Sequence, residues 1–258
     1  MKLHPIVALI ALSGSLQAGP ATPEAPAPMT TAPVEDGWWF RAAPYGWITA
    51  VEGDVGVGPL STPVDISMAD TLDSVDMTFM GIFEAGYGKL SVGVDVVYGK
   101  LSQDVGGGGH VFDSFRFEQK QWLVTPFVAY NVVKTERYHM DVYAGAQITV
   151  LEVELTGRLV GPGEVVASRD KDWVDPIIGV RGQAELTETL FFRYNGEVGG
   201  FGVNSDLIWQ AFLGFGYHIN NNVSVAVGYR GLGIDYSSDG FTFDTVSHGP
   251  VIGLEVRF

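Results

Sequence analysis

The sequence predicts an all-β chain, an antiparallel up-and-down transmembrane β-barrel of about ten strands. Three observations predict it. Long segments from Trp38 onward alternate apolar and polar residues with a period of two. Their connections alternate between short and longer, the habit of a barrel with one short-turn side. Finally, 46% of the 258 residues are hydrophobic, yet beyond the N-terminus no apolar run reaches the roughly 18 residues that a membrane helix needs. A membrane protein without spanning helices must close its backbone hydrogen bonds as a barrel.

The N-terminal elements come first. Met1 and Lys2, an apolar run from Ile6 to Leu16 and small residues near Ala18 predict a signal peptide over 1–18, with cleavage after Ala18 or Ala21. Residues 19–36 carry Pro20, Pro23, Pro26, Pro28 and Pro33 among Ala and Thr, a composition that buries no core and predicts an extended linker. Residues 37–258 are the predicted barrel.

The period-two segments run over Trp38–Val51, Asp76–Tyr87, Lys89–Gln103, Val111–Tyr130 and Arg137–Leu155. They continue over Trp173–Leu186, Leu190–Val203, Asp206–His218, Val223–Tyr236 and Thr242–Phe258. Longer loops are expected at Glu52–Val75, Asp104–His110, Thr156–Asp172 and Ser237–Phe241. In the first of them Ser67, with Asp70 three residues on, predicts a capping box opening a short helix. Asp70, Asp73 and Asp76 then mark a solvated helix face or a cap folded over the mouth, whereas a calcium site would need more oxygen ligands at tighter spacing.

Alternation alone does not say which face points inward, and a soluble lipocalin-like barrel would bury the apolar one. Export favours the opposite arrangement. So does the gathering of Trp38, Trp39, Tyr87, Tyr98, Trp122, Tyr130, Trp173, Tyr217 and Tyr229 near predicted strand ends, as interfacial girdles require. Pro44, Pro126, Pro176 and Pro250 all fall on the apolar parity of their strands.

The last strand is the most specific stretch. Phe258, Val256, Leu254, Ile252 and Pro250 form one apolar face, while Arg257 and Glu255 lie on the other. A terminal aromatic closing such a strand resembles the insertion signal of Gram-negative outer-membrane β-barrels. The chain from Trp38 to Phe258 looks like that superfamily of small barrels, which includes the transmembrane domain of outer-membrane protein A. Ala43-Pro44-Tyr45-Gly46-Trp47, Asp239-Gly240-Phe241 and His248-Gly249-Pro250 are similar to stretches of its proteobacterial members. The resemblance implies residence in the cell outer membrane with a periplasmic 19–36 linker. It also implies contact with the lipid bilayer and recognition by the barrel-assembly machinery through Phe258, Val256, Leu254 and Ile252. Small solutes and lipopolysaccharide are further partners it implies. No peptidoglycan-binding domain is expected after the barrel, and a direct anchoring role of that type is not expected either.

With the apolar parity toward lipid, the lumen is expected to receive Arg41, Glu84, Asp95, Asp141, Asp175, Arg181, Glu185, Arg193, Glu197, Arg230, Glu255 and Arg257. Gln147, Gln183, Asn195 and Gln210 join them. Acids and arginines interleave, as a self-neutralising network requires. About ten strands sit near the width that side chains can fill, whereas aqueous pores take roughly sixteen. Two functions follow: a sealed structural barrel, or a narrow porin-like channel for small solutes.

Other classes find less support. A net charge of −15 argues against nucleic acid, and the absence of Cys removes disulfides, Cys-ligated metals and a lipid-modified Cys. No cofactor is expected and the protein is read as non-enzymatic. The rival is a surface lipid- or peptide-hydrolysing enzyme using Ser247, His248 and an acid such as Asp235, Asp239 or Asp244, although nothing around Ser247 resembles a nucleophile elbow. Loop-mediated binding is a third class. His110, after four glycines, is expected to be a loop residue.

Overall fold

The computed structural model describes residues 37–57, 60–105 and 112–258. The predicted signal peptide, the 19–36 linker, Gly106–Gly109 and His110 lie outside the described residues. The elements are β1 Trp38–Trp47, β2 Ala50–Val57, β3 Leu60–Ile66, α1 Met68–Ser74, β4 Val75–Tyr87, β5 Leu90–Val105 and β6 Phe112–Lys134. They continue with β7 Tyr138–Leu159, β8 Glu164–Glu185, β9 Leu190–Gly200, β10 Leu207–His218, β11 Val223–Ser238 and β12 Phe241–Arg257.

Twelve strands form one antiparallel sheet, ordered β1-β4-β5-β6-β7-β8-β9-β10-β11-β12-β2-β3, and β1 also pairs with β12. Ten strands therefore close a ring, and the β2–β3 hairpin extends it at the end away from the short turns. The closing β1–β12 ladder runs from Trp47–Val251 to the last residue, where Phe258 N donates to Phe40 O at 3.0 Å, Phe40 N to Phe258 O at 2.7 Å, and their rings stack at 5.9 Å.

The register fixes the width. Stepping from Arg41 through Glu84, Gly93, Phe127, Gly145, Ile177, Gly199, Ile208, Ile234 and Thr245 returns to Gly53. From position 41 to position 53 the stagger is 12 residues. With the usual strand rise and spacing, that shear tilts the strands by about 40° and gives a backbone radius of about 10 Å.

The outer face is apolar along the short-turn part of every strand. Phe83, Val92, Val128, Val142, Ile178, Leu213, Phe215, Val227, Ile252 and Leu254 are all exposed. Further along, the two faces exchange character. On β7 the outward residues Val142, Ala144, Ala146, Ile148 and Val150 give way to Glu152 and Glu154, while inward Asp141, Tyr143 and Gln147 give way to buried Leu151, Val153 and Leu155. On β12 outward Ile252 and Leu254 are replaced by Asp244 and Thr242, and inward Glu255 by buried Phe243 and Phe241. The far end is thus packed like a soluble barrel. The β2–β3 hairpin supplies Val51, Val55, Val57, Leu60, Val64 and Ile66 to that core.

Two expected loops are mostly strand as a result. Glu52–Val75 contains β2, β3 and α1, and Thr156–Asp172 is the tip of the β7–β8 hairpin, turning only at Val160–Gly163. The capping box is formed: Ser67 N donates to Asp70 Oδ2 at 3.1 Å and Asp70 N to Ser67 Oγ at 3.2 Å.

The prolines are tolerated because each falls where a ladder lapses. Pro44 faces a gap in β1–β12 pairing and Pro126 one in β6–β7 pairing. Pro176 lies just past the last β8–β9 pair, at Ile177. Pro250 sits where β12 changes partner from β1 to β2. Beside it, a Cβ on Gly249 would meet Ile48 O at 1.8 Å, so only glycine admits the kink between β1 and β2.

The exchange of faces sets opposite costs on neighbouring residues. Leu151→Ala, inside the core, should lower unfolding free energy by about 2–5 kcal/mol. Val150→Ala, on the outer face, should cost less than about 1 kcal/mol. Denaturant titration of the refolded barrel in lipid vesicles reads both, and equal costs would contradict the assignment of faces.

Candidate functional site

The predicted lumen residues all lie on the inner face, and most belong to one chain of contacts around the short-turn half. Asn131 donates to Asp141 Oδ1 (2.7 Å), and Arg181 Nε to Asp141 Oδ2 (3.1 Å). Arg181 also grips Glu84, which Arg41 Nη2 meets at 2.8 Å. Arg41 reaches Glu255 at 3.1 Å, and Arg193 Nη1 meets the same Oε2 at 2.8 Å. Arg193 donates onward to Gln183 Oε1, whose amide donates to Glu185 (2.6 Å). His218 Nε2 lies 3.1 Å from Glu185 Oε2, and its Nδ1 lies 2.9 Å from Ser224 Oγ. The Glu84 side chain is 1% exposed, so desolvation is severe and its two arginine partners are what make the charge tolerable.

A second group sits above the first. Tyr45 Oη donates to Asp95 Oδ1 at 2.7 Å and receives Arg230 Nη1 at 2.7 Å. Arg230 also donates to Gln210 and lies 4.8 Å from the Trp47 ring centroid. Beside it, Tyr143 Oη is 2.8 Å from Glu197 Oε2 and 2.9 Å from Asn195 Oδ1. Gly179 makes room for that tyrosine, since a Cβ there would lie 2.3 Å from its ring.

Asp175 and Arg257 are inward as well. Asp175, fully buried, receives Ser205 N (2.9 Å), Asn204 N (3.1 Å) and Ser205 Oγ (2.5 Å), and so pins the β9–β10 turn. Arg257 lies over the Trp39 ring at 4.8 Å.

Most of these residues, though not Asp175 or Glu185, wall a vestibule of about 430 Å³ whose lining runs down to the short turns at Gly88, Asn131 and Asn222. Its far side meets the apolar core of Val97, Leu123, Ile208 and Leu232.

Two girdle expectations are corrected. Trp39 and Trp173 occupy inward positions: Trp39 lies under Arg257, and Trp173 is buried with its Nε1 donating to Ser205 Oγ (3.0 Å) and its ring stacked on Tyr236 at 3.9 Å. The parity of each strand, rather than nearness to its end, decides the direction. Conversely Tyr45, Tyr143, Asn131 and His218 join the lumen network without having been singled out. Their inward parity was the available signal.

His248 and Ser247 point to opposite faces, as neighbours in a strand must. His248 faces outward, 2.6 Å from Tyr229 Oη and 3.5 Å from Glu52, whereas Ser247 lines an interior cavity. Near them Asp54, Asp244 and Asp235 stand directly opposite one another on β2, β12 and β11. Among the described residues no group of three His, Asp or Glu is arranged to hold a metal ion.

No family model matches the chain, and no curated protein matches it. Among solved structures, the outer membrane protease OmpT from Escherichia coli is 11% identical, covering 89% of this chain and 100% of its own, with a TM-score of 0.55. The fold is that of a Gram-negative outer-membrane β-barrel. At this identity the likeness is one of fold alone. The transport unit of the autotransporter AIDA-I from Escherichia coli (8% identity, 87% and 91% coverage, TM-score 0.46) and Neisserial surface protein A (14%, 86% and 99%, 0.35) are also similar.

Truncating Glu84 to Ala leaves Arg41 with Glu255 alone and Arg181 with Asp141 alone, and should lower unfolding free energy in vesicles by about 1–3 kcal/mol. A loss under about 1 kcal/mol would remove Glu84 from the network. Asp244→Asn relieves like charges on adjacent strands and should instead stabilise by about 0.2–1 kcal/mol, less at high salt.

Proposed function

We propose that the protein resides in the outer membrane as a sealed structural barrel, with the short turns in the periplasm and the β2–β3 and β7–β8 hairpins outside. The observation that carries this is the stacking of two fillings inside one ring. A self-neutralised charge network occupies the periplasmic half, and a continuous apolar core including Val55, Phe117, Leu155, Phe241 and Phe243 occupies the outer half. An ion entering from the periplasm would meet paired arginines and then a layer made mainly of apolar side chains, with no charged partner among the core residues. The role is non-enzymatic on this account, since Ser247 and His248 face opposite sides of the wall. The outward apolar row Ile252, Leu254 and Phe258 is the surface the assembly machinery would read in the last strand.

Planar-bilayer recording of the refolded protein, with heat-modifiable gel mobility confirming the fold, tests the proposal. The intact barrel should be silent, and deletion of residues 50–66 should introduce discrete conductance steps. Salt-dependent steps from the intact protein would overturn the sealed barrel in favour of a narrow small-solute channel.

A further inference from the structure

Five carboxylates stand on the lining of the vestibule: Glu84, Asp95, Asp141, Glu197 and Glu255. Four of them meet arginines, Glu84 and Glu255 two each, Asp95 and Asp141 one each. Glu197 is the exception. It is only 6% exposed, and among the described residues no cation stands within ion-pair distance of it. Its Oε2 accepts from Tyr143 Oη at 2.8 Å. Its Oε1 accepts no hydrogen bond among the described residues, yet that atom is not closed off, and the residue lines the vestibule.

Hydrogen-bond donors are scarce at this end. The single Tyr143 proton is shared between Glu197 and Asn195 Oδ1 at 2.9 Å, while Arg230 is already engaged by Asp95, Tyr45 and Gln210. A buried carboxylate without a cation takes either a proton or a cationic guest. The wall leaves room for a guest. Gly93, Gly179, Gly214 and Gly228 lie under the rings of Phe127, Tyr143 and Phe212, and a Cβ on any of them would lie 2.7 Å or less from a ring atom. The rings therefore lie along the wall rather than across the bore. Aromatic faces suit an organic ammonium, and among the described residues no three acids or histidines are grouped for a metal.

The mouth carries the opposite imbalance. Lys134, paired with His139 across β6 and β7, lines the vestibule and has no hydrogen bond or ion pair among the described residues. Its row runs through His139 and Gln183 to Arg193, four residues from Glu197, or about 13 Å along the strand. Between the two ends Arg41, Arg181 and Arg193 are matched by Glu84, Asp141 and Glu255, so the passage is close to neutral.

We infer that the vestibule binds a linear ω-amino acid, with its ammonium group on Glu197 and its carboxylate beside Lys134. The ammonium supplies the missing N–H donors together with the missing positive charge. The guest enters and leaves from the short-turn side, so the site requires no conducting lumen.

Isothermal titration of the refolded full-length protein in detergent micelles tests the site, with 6-aminohexanoate as the probe. It should bind saturably. 6-Hydroxyhexanoate lacks the ammonium and 6-aminohexanamide lacks the carboxylate, and each should bind about tenfold more weakly, the effect of one lost charge-assisted hydrogen bond. Glu197→Gln should weaken 6-aminohexanoate by a similar factor and leave 6-hydroxyhexanoate unchanged, with heat-modifiable gel mobility confirming its fold. If that variant does not fold, the three probes on the unaltered protein still decide. No binding of 6-aminohexanoate would mean that Glu197 carries a proton in place of a guest. Equal binding of 6-hydroxyhexanoate would take the ammonium off Glu197, and equal binding of 6-aminohexanamide would take the carboxylate off Lys134. Each of these three results overturns the inference.

Discussion

The wall of this barrel sets its own problem: ten strands at a stagger of 12 residues enclose a cylinder that must be filled by side chains hanging from a single sheet. A backbone radius of about 10 Å lies near the width that side chains can fill and well short of the barrels of roughly sixteen strands that hold wide aqueous channels. Everything else follows from how the interior is packed at that fixed width.

Two solutions are stacked along the axis. Where lipid-type residues cover the outside, the inside is polar, and arginines with two carboxylate neighbours each tie strands far apart in sequence. Arg41 alone joins β1 to β4 and β12, and Arg181 joins β8 to β4 and β7. Buried charges of this kind cost stability unless every one is paired, so the network fixes the ring geometry as much as it strengthens it. Where the strands run on past the apolar belt, water lies outside, and the interior becomes an ordinary hydrophobic core. The β2–β3 hairpin completes that core because β1 alone is too short to reach it.

This exchange of faces also explains which parts were legible in the sequence. The ring strands, the inward acids and arginines and the capping box of α1 follow from a single parity kept in register with lipid. β2, β3 and the outer thirds of β7 and β8 obey the same period of two with the roles reversed: Glu52, Asp54 and Asp65 face out, while Val51, Val55 and Val64 face in. Tracking one lipid-facing parity therefore loses the pattern at the belt and leaves loops in its place. The contact partners inside the lumen were not legible, because Glu84 meets Arg181 across 97 positions of sequence and only the closed ring brings them together. Tyr45 and Tyr143 were missed for a related reason, since an aromatic ring in a barrel strand suits a girdle as well as a lumen.

The division of the interior into a wet half and a dry half is the central claim, and thiol accessibility measures it most directly. The chain has no Cys, so single cysteines report without background. Ser91→Cys and Ala226→Cys line the vestibule, and Val153→Cys and Leu155→Cys lie in the apolar core. With the barrel oriented in lipid vesicles, a membrane-impermeant maleimide should label the first pair from the short-turn side and the second pair from neither side. Labelling of Val153→Cys from the short-turn side, at a rate like that of Ser91→Cys, would show a continuous aqueous lumen and contradict the account.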